Sequence, residues 1–208
     1  SISIPQGNKA FWGTGSQFLN EHIDDLRFRV SPRAFLQVNP TQTAKLYSLV
    51  LNLAELTGEE EVWDLYCGIG TITLLFAKRV GKVIGIEENL QAVEDAIINA
   101  NDNRITNFQF IQGKVEDKMK ALTGNPDIII TDPPRAGMKP VVLEKLLKAK
   151  PKKIIYVSCN PATLARDLKL LTSGDGGIGG GYAIQKIQPV DMFPWTGHVE
   201  TVVLMSRK

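Results

Sequence analysis

Cys159 stands between an apolar run that ends at Ser158 and a helical pattern that starts at Pro161. A thiol just ahead of a helix lies where the peptide dipoles favour the thiolate, its nucleophilic form. The plainer alternative is a buried, inert thiol. Glu200 opens the last apolar run, with Val199, Val202, Val203 and Leu204 around it. A carboxylate at the mouth of an apolar strand can have a raised pKa and act as a base; the alternative is a solvated edge residue. His198 beside it reads as a structural hydrogen-bonder. A third acid, Asp132, ends the run Asp127–Thr131 and begins Asp132-Pro133-Pro134-Arg135-Ala136-Gly137.

A second kind of chemistry is written in Val62-Trp63-Asp64-Leu65-Tyr66-Cys67-Gly68-Ile69-Gly70-Thr71. An apolar run meets a Gly-x-Gly turn, and a helical pattern follows at once. Gly68 and Gly70 let the backbone turn tightly and approach a ligand. A second run, Lys82–Glu87, ends in an acid seventeen residues past Gly70, near the ~20-residue spacing at which a carboxylate reaches ribose hydroxyls. Thr71 and Thr73 stand where a dinucleotide fingerprint carries its third glycine, and no basic or glycine cradle for a pyrophosphate follows. A cofactor with a ribose and no phosphate fits, and S-adenosylmethionine is the common one. Cys67, inside the turn, reads as a small packing residue. A purely structural turn is the competing account.

The elements that must position these groups alternate. Strands are predicted near 61–66, 82–87, 108–112, 127–131 and 153–158. Helices are predicted after Asn89, over 141–147 and over 161–171, with Pro161 in its first turn. The run 127–131 is continuously apolar, as in a parallel strand buried on both faces. Two strands close together, 182–190 and 199–206, leave no room for a crossover helix and are expected to be antiparallel. Upstream, Leu26–Val30 alternates like a half-buried strand, 31–40 is a loop with two prolines, and Thr41 is expected to cap a helix that Gly58 ends. The predicted fold is α/β: a Rossmann-like, doubly wound, mostly parallel sheet of about seven strands with a C-terminal antiparallel hairpin. Residues 41–208 form the predicted catalytic domain. Residues 1–40 read as an N-terminal arm or the remnant of an upstream domain, irregular up to residue 25. In such sheets ligands sit beyond the carboxyl ends of the strands, so the glycine turn, Glu87, Asp132 and Cys159 share one rim.

Composition narrows the classes. The chain has 208 residues, 43% hydrophobic, with a net charge of +2, enough for one large domain. No apolar run approaches the ~20 residues that span a bilayer, and the first residues lack the pattern of a signal peptide, so a cytoplasmic location and no membrane partner are expected. Two cysteines and two histidines make a poor zinc set, and no metal is expected. The glycine-rich stretch 174–181 lacks a following Lys-Ser/Thr and a helix, so it reads as a mobile surface loop rather than a phosphate cradle.

Four stretches together resemble the RNA uracil-5-methyltransferases, class I S-adenosylmethionine enzymes that make 5-methyluridine in tRNA or rRNA. They are Phe35-Leu36-Gln37-Val38-Asn39, Asp132 to Gly137, Ser158-Cys159-Asn160-Pro161-Ala162-Thr163-Leu164-Ala165-Arg166-Asp167, and Phe193-Pro194-x-Thr-Gly-His198-Val199-Glu200. The resemblance covers roughly residues 26–208. It implies that Cys159 is the nucleophile and Glu200 the base, that Gln37, Tyr66, Gly68, Thr71, Glu87 and Asp132 line the cofactor and base pocket, and that RNA is the partner of a monomeric enzyme. The upstream RNA-binding barrel and four-cysteine iron–sulfur site common in the family do not occur within this sequence. Trp195 stands where a smaller or more polar ring is expected, and the glycine stretch 174–181 looks like an insertion.

The implied chemistry explains the residues. C5 of uracil is too weak a nucleophile to take a methyl directly. Thiolate attack at C6 makes C5 carbanion-like, the methyl transfers in line, and a base removes the C5 proton as the thiol leaves. Asp132 could bond the uracil edge and Arg135 a phosphate or the enolate oxygen, with the target base out of its stack. Two rivals are an amino-methyltransferase acting on adenine or cytosine and a non-catalytic RNA-binding fragment of the same fold. The first expects an aromatic residue after Asp-Pro-Pro, where this chain has Arg135, and gives a Cys/Glu pair no task.

Overall fold

A computed structural model describes residues 18–173 and 181–208. The expectations for residues 1–17 and nearly all of the glycine stretch lie outside the described residues. The chain opens with a hairpin, β1 (Leu19–Ile23) against β2 (Leu26–Val30). Helix α1 (Pro40–Ala54) follows. Then come β3 (Glu61–Leu65), α2 (Thr71–Ala77), β4 (Lys82–Glu87), α3 (Leu90–Asp102), β5 (Phe108–Gln112) and the short α4 (Val115–Lys118). The second half comprises β6 (Ile128–Thr131), α5 (Pro140–Ala149), β7 (Lys153–Ser158), α6 (Pro161–Ser173), β8 (Tyr182–Val190) and β9 (Glu200–Arg207).

The seven strands β3–β9 form one sheet in the order β5-β4-β3-β6-β7-β9-β8. The first five are parallel, and β9 runs antiparallel to both β7 and β8. The order reverses between β3 and β6, which makes their carboxyl ends the expected ligand crevice. The fold class is thus the one expected from the alternation of apolar runs. Successive residues of each strand supply opposite faces. Val62, Val83, Ile128, Ile130, Ile155 and Val157 pack beneath α1, α2 and the hairpin, whereas Trp63, Leu65, Ile84, Ile129, Ile154 and Tyr156 pack on the side of α5 and α6. Burial on both faces is why these runs are continuously apolar.

Several local expectations are corrected. Residues 19–23 are a strand where an irregular arm was expected, because their polar side chains point outward from a two-stranded ribbon. Asn39, rather than Thr41, caps α1: its side chain accepts from the Gln42 amide at 3.2 Å, and Pro40 takes the first helical position, where its missing N–H costs nothing. The helix stops at Ala54, not Gly58, with Glu55 in the left-handed region (φ 50°). Strand β3 stops at Leu65 because Tyr66 already has φ 67°. The short α4 carried no expectation; four residues are too few to show a period.

The hairpin is held to α3 by a ladder of side chains. Asn103 and Asn99 each accept from and donate to the backbone of Arg27 and Arg29, respectively. Asp95 continues the series by accepting from the amide and hydroxyl of Ser31 at 2.7 and 2.8 Å. Four residues of helix rise about 6.0 Å and two residues of strand about 6.6 Å, so a helix with polar residues every fourth position can pair with one edge of a strand. This ladder fixes where the 31–39 loop begins, and the N-cap of α1 fixes where it ends.

Candidate active site

The loop so fixed forms one wall of a small cleft, open to solvent, at the switch between β3 and β6. Gln37, Tyr66, Gly68, Thr71 and Asp132 line it, five of the six residues expected to hold a cofactor, joined by Phe35, Leu36, Tyr47, Asp64 and Cys67. Glu87, the sixth, lies behind the turn: its carboxylate accepts from the Gly68 amide at 3.0 Å and from the Asn89 amide at 2.7 Å. Those two bonds leave lone pairs for a ligand hydroxyl. Thr71 is buried, its hydroxyl paired with Tyr47 at 3.1 Å, so it shapes the floor of the cleft as much as it presents a polar group.

The glycine turn follows from close packing. Gly70 has φ 80°, and a Cβ there would lie 2.8 Å from the Phe110 ring and 3.2 Å from Ala96. Cys67 fills the space above Gly85, where a Cβ would come within 2.8 Å of its sulfur. Its thiol is buried and its pKa pushed well up, chiefly by burial, in keeping with a packing role. Asn99 closes the arrangement by donating to the Ile69 carbonyl at 3.2 Å.

On the other side of the switch, strand register brings the two reactive candidates together. Ser158 pairs with Thr201 across β7 and β9, so the next residues outward, Cys159 and Glu200, leave the sheet at the same rim. Glu200 is 3% exposed, and its Oε2 is buried with no hydrogen-bond partner. Gln37 is in the same condition: 8% exposed, its Oε1 buried and unpartnered. Two orphaned acceptors beside one cleft are costly unless a ligand serves them.

The electrostatics are those of an acidic pocket. Burial raises the Glu200 carboxyl. Burial, then Glu200, then Asp64 push Asp132 up to about 8. Asp64, buried within β3, is pushed up to about 7 by burial and by Glu87, against the hydrogen bond it accepts from Thr73 at 2.6 Å. The Cys159 thiol is raised as well, by burial first and then by Glu200 and Asp132, which outweigh Arg135. The backbone hydrogen bond at Cys159 does favour the thiolate, as expected of a helix start, but burial and the two carboxyls outweigh it. Asn160 caps α6, its side chain accepting from the Ala162 amide at 3.0 Å, and of the charged groups around the sulfur the two carboxylates act most strongly.

Arg135 is exposed on the rim. Its carbonyl is pinned by Asn160 Nδ2 at 3.0 Å and Thr163 Oγ1 at 3.1 Å. Below it, fully buried Asp167 accepts from the Met138 amide at 2.8 Å, from the Tyr156 hydroxyl at 2.7 Å and from Arg166 Nε at 2.8 Å. Gly137 (φ 74°) leaves no room for a Cβ against Arg166 and Asp167. The loop 132–138 and the start of α6 are therefore one rigid body. Asp64, Asn99 and Asp167 were not among the expected site residues. A charge inside the apolar run 62–65 was a visible signal for Asp64, whereas Asn99 and Asp167 brace Ile69 and Met138, 30 and 29 positions away. Among the described residues no three His, Cys, Asp or Glu side chains are grouped to hold a metal ion, and no helix is long and apolar enough to cross a membrane.

The family profile described as tRNA (Uracil-5-)-methyltransferase matches residues 16–208. The chain belongs to this family. An uncharacterized RNA methyltransferase of Listeria innocua is 47% identical over 203 residues, 96% of this chain and 43% of the relative. One from Clostridium acetobutylicum is 44% identical over the whole chain and 44% of its own length. Among solved structures, Pyrococcus abyssi tRNA (uracil-54, C5)-methyltransferase in complex with S-adenosyl-L-homocysteine superposes with a TM-score of 0.80 at 34% identity, covering 97% of this chain and 48% of that one. The chain thus spans under half the length of these relatives. Family membership agrees with the resemblance drawn from the Cys159, Glu200, Asp132 and Gln37 stretches.

Proposed function

We propose that this chain methylates C5 of uracil in RNA, with S-adenosylmethionine as methyl donor. The observation that carries the reading is the placement of Cys159 and Glu200 on one rim, at the end of a register that pairs Ser158 with Thr201, beside a cleft containing a buried, unpartnered Gln37 oxygen. The residues present suit the donor. Glu87 behind the Gly68 turn can accept ribose hydroxyls, and Gln37 Oε1 and Asp132 offer acceptors beside the cleft. When bound, the donor supplies an electrophilic methyl on a sulfonium whose positive charge offsets the acidic pocket. The S-adenosyl-L-homocysteine held by the Pyrococcus abyssi enzyme supports the same assignment.

Cys159 Sγ, partly open to solvent, loses its proton to water and bonds to C6 of the uracil. The C5–C6 π electrons move onto C5 and O4, and Arg135 on the rim stands where it can steady that charge or a phosphate. Asp132, protonated near neutral pH by virtue of its raised pKa, can donate to the uracil edge. After C5 has taken the methyl, Glu200 removes its remaining proton, the C–H pair re-forms the C5–C6 double bond, and the thiolate leaves. Burial raises Glu200, which makes it a stronger base once ionised. A tRNA or rRNA substrate fits this chemistry equally.

The test is a denaturing gel with labelled RNA. Glu200→Gln is expected to accumulate a protein–RNA adduct that survives denaturation, because methyl transfer proceeds and proton loss does not. Cys159→Ala is expected to give neither adduct nor product. An RNA with 5-fluorouridine at the modified position should trap the wild type. An adduct with Cys159→Ala, or none with the fluorinated RNA, would sink the mechanism.

A further inference from the structure

Between β8 and β9 the chain leaves the sheet for the loop 191–199, which leads directly into Glu200 on the rim of the cleft. This loop is well anchored. Met192 is buried at its base, its carbonyl accepts from Asn39 Nδ2 at 3.2 Å, and its sulfur lies 3.9 Å from the Thr43 hydroxyl. Phe193 packs against the core and meets the His198 ring edge-on at 6.3 Å. Thr196 closes a turn by donating from its amide and hydroxyl to the Phe193 carbonyl at 3.2 and 2.7 Å, and its Oγ1 accepts from the His198 amide at 3.2 Å.

Trp195 is at the tip of that turn, with φ 68° and 103% relative exposure. The contrast with its neighbours is the informative feature. A rigid turn, fastened at both ends, holds the largest aromatic side chain wholly in water and in a backbone conformation that a residue with a Cβ rarely adopts. Glu200 is five positions on, a reach of at most ~17 Å, so the indole is near enough to the rim to meet a nucleotide beside one held in the cleft. An exposed flat ring beside a site for an unstacked base replaces the stacking partner that the neighbouring nucleotide loses.

We propose that Trp195 is a stacking platform for a nucleobase flanking the target uracil in single-stranded RNA. The inference rests on the reading of the cleft as an RNA uracil site. Stacking is tolerant of base identity, so the platform sets the path and affinity of the strand rather than its sequence, and it gives the site a hold on RNA that does not pass through phosphate contacts.

The test uses intrinsic fluorescence and equilibrium binding with two probes, a short oligouridylate and an abasic ribose-phosphate oligomer of the same length. Oligouridylate is expected to quench wild-type emission, the abasic oligomer to leave it unchanged, and Trp195→Phe to abolish the quenching while retaining most of the affinity. Trp195→Ala is expected to bind oligouridylate roughly 5- to 150-fold more weakly with an unchanged melting temperature, since the ring packs on nothing. Equal binding by Trp195→Ala and wild type, or equal quenching by the abasic oligomer, would overturn the platform. Those results alongside a Cys159 adduct on fluorinated RNA would leave the methyltransferase reading standing; base-dependent quenching without any adduct would support the platform and overturn the catalytic reading.

Discussion

Asn99 holds Ile69: its side-chain amide donates to the Ile69 carbonyl at 3.2 Å while the same NH2 donates to Arg29 at 3.1 Å and its oxygen accepts from the Arg29 amide at 2.7 Å. One buried side chain thus ties the glycine turn, the N-terminal hairpin and α3 together. Asn99→Ala leaves these backbone groups without partners at a site from which water is excluded. A loss of roughly 2–4 kcal/mol in unfolding free energy is expected, with weaker S-adenosylmethionine binding because the turn loosens. Asn99→Asp keeps the acceptor but sets a buried carboxylate oxygen against the Arg29 and Ile69 carbonyls, so it should cost at least as much. Urea unfolding with equal m-values would check this; a change under about 0.5 kcal/mol would show that the ladder is incidental.

Glu87 is expected to contribute to donor binding directly. Glu87→Ala should weaken S-adenosylmethionine binding by ~1–3 kcal/mol, the loss of charge-assisted bonds to ribose. Because Glu87 also braces the Gly68 and Asn89 amides, Glu87→Gln should restore much of the fold stability and little of the affinity. Calorimetric titration separates the two; unchanged affinity in both variants would remove Glu87 from the site.

Asp132 trades stability against function. Its carboxyl is pushed up to about 8 in the folded protein, above its unfolded value of ~3.9. Between those values the folded state binds the extra proton, so stability falls as pH rises through this window. Asp132→Asn removes that dependence. It should melt higher than wild type at pH 8, with the advantage fading near pH 4, and it should lose methyl transfer. A melting-temperature series against pH checks the sign, and an advantage that grew toward acid would contradict it.

Gly70→Ala is expected to be severe for two separate reasons. The position has φ 80°, and the new methyl would sit 2.8 Å from the Phe110 ring. Strain and overpacking together should cost roughly 2–4 kcal/mol. The double variant Gly70→Ala with Phe110→Leu relieves only the second, so its recovery should be partial. Full recovery would show that the left-handed backbone carries no cost here.

Much of this protein was decided by local sequence. Continuous apolar runs such as 127–131 and 153–158 announce strands buried on both faces, and the short gap between 190 and 199 forces the last pair to be antiparallel. Cys159, Glu200, Asp132 and the Gly68 turn announce themselves because reactive or glycine residues interrupt apolar runs at strand ends. Local sequence also misled: Asn39 caps α1 in place of Thr41, and a helix start next to Cys159 suggested a thiolate.

Only the tertiary structure brought the groups to one rim and shifted their pKa values. The Cys159 thiol is raised first by burial and then by the carboxyls of Glu200 and Asp132, which arrive from two other strands. The 31–39 loop walls the cleft because Asn99 and Asn39 hold its neighbours from across the fold. Periodicity records which face of an element is buried, because that cost is paid residue by residue. Register, burial depth and the meeting of charges depend on separations of tens of residues along the chain, and no local pattern encodes them.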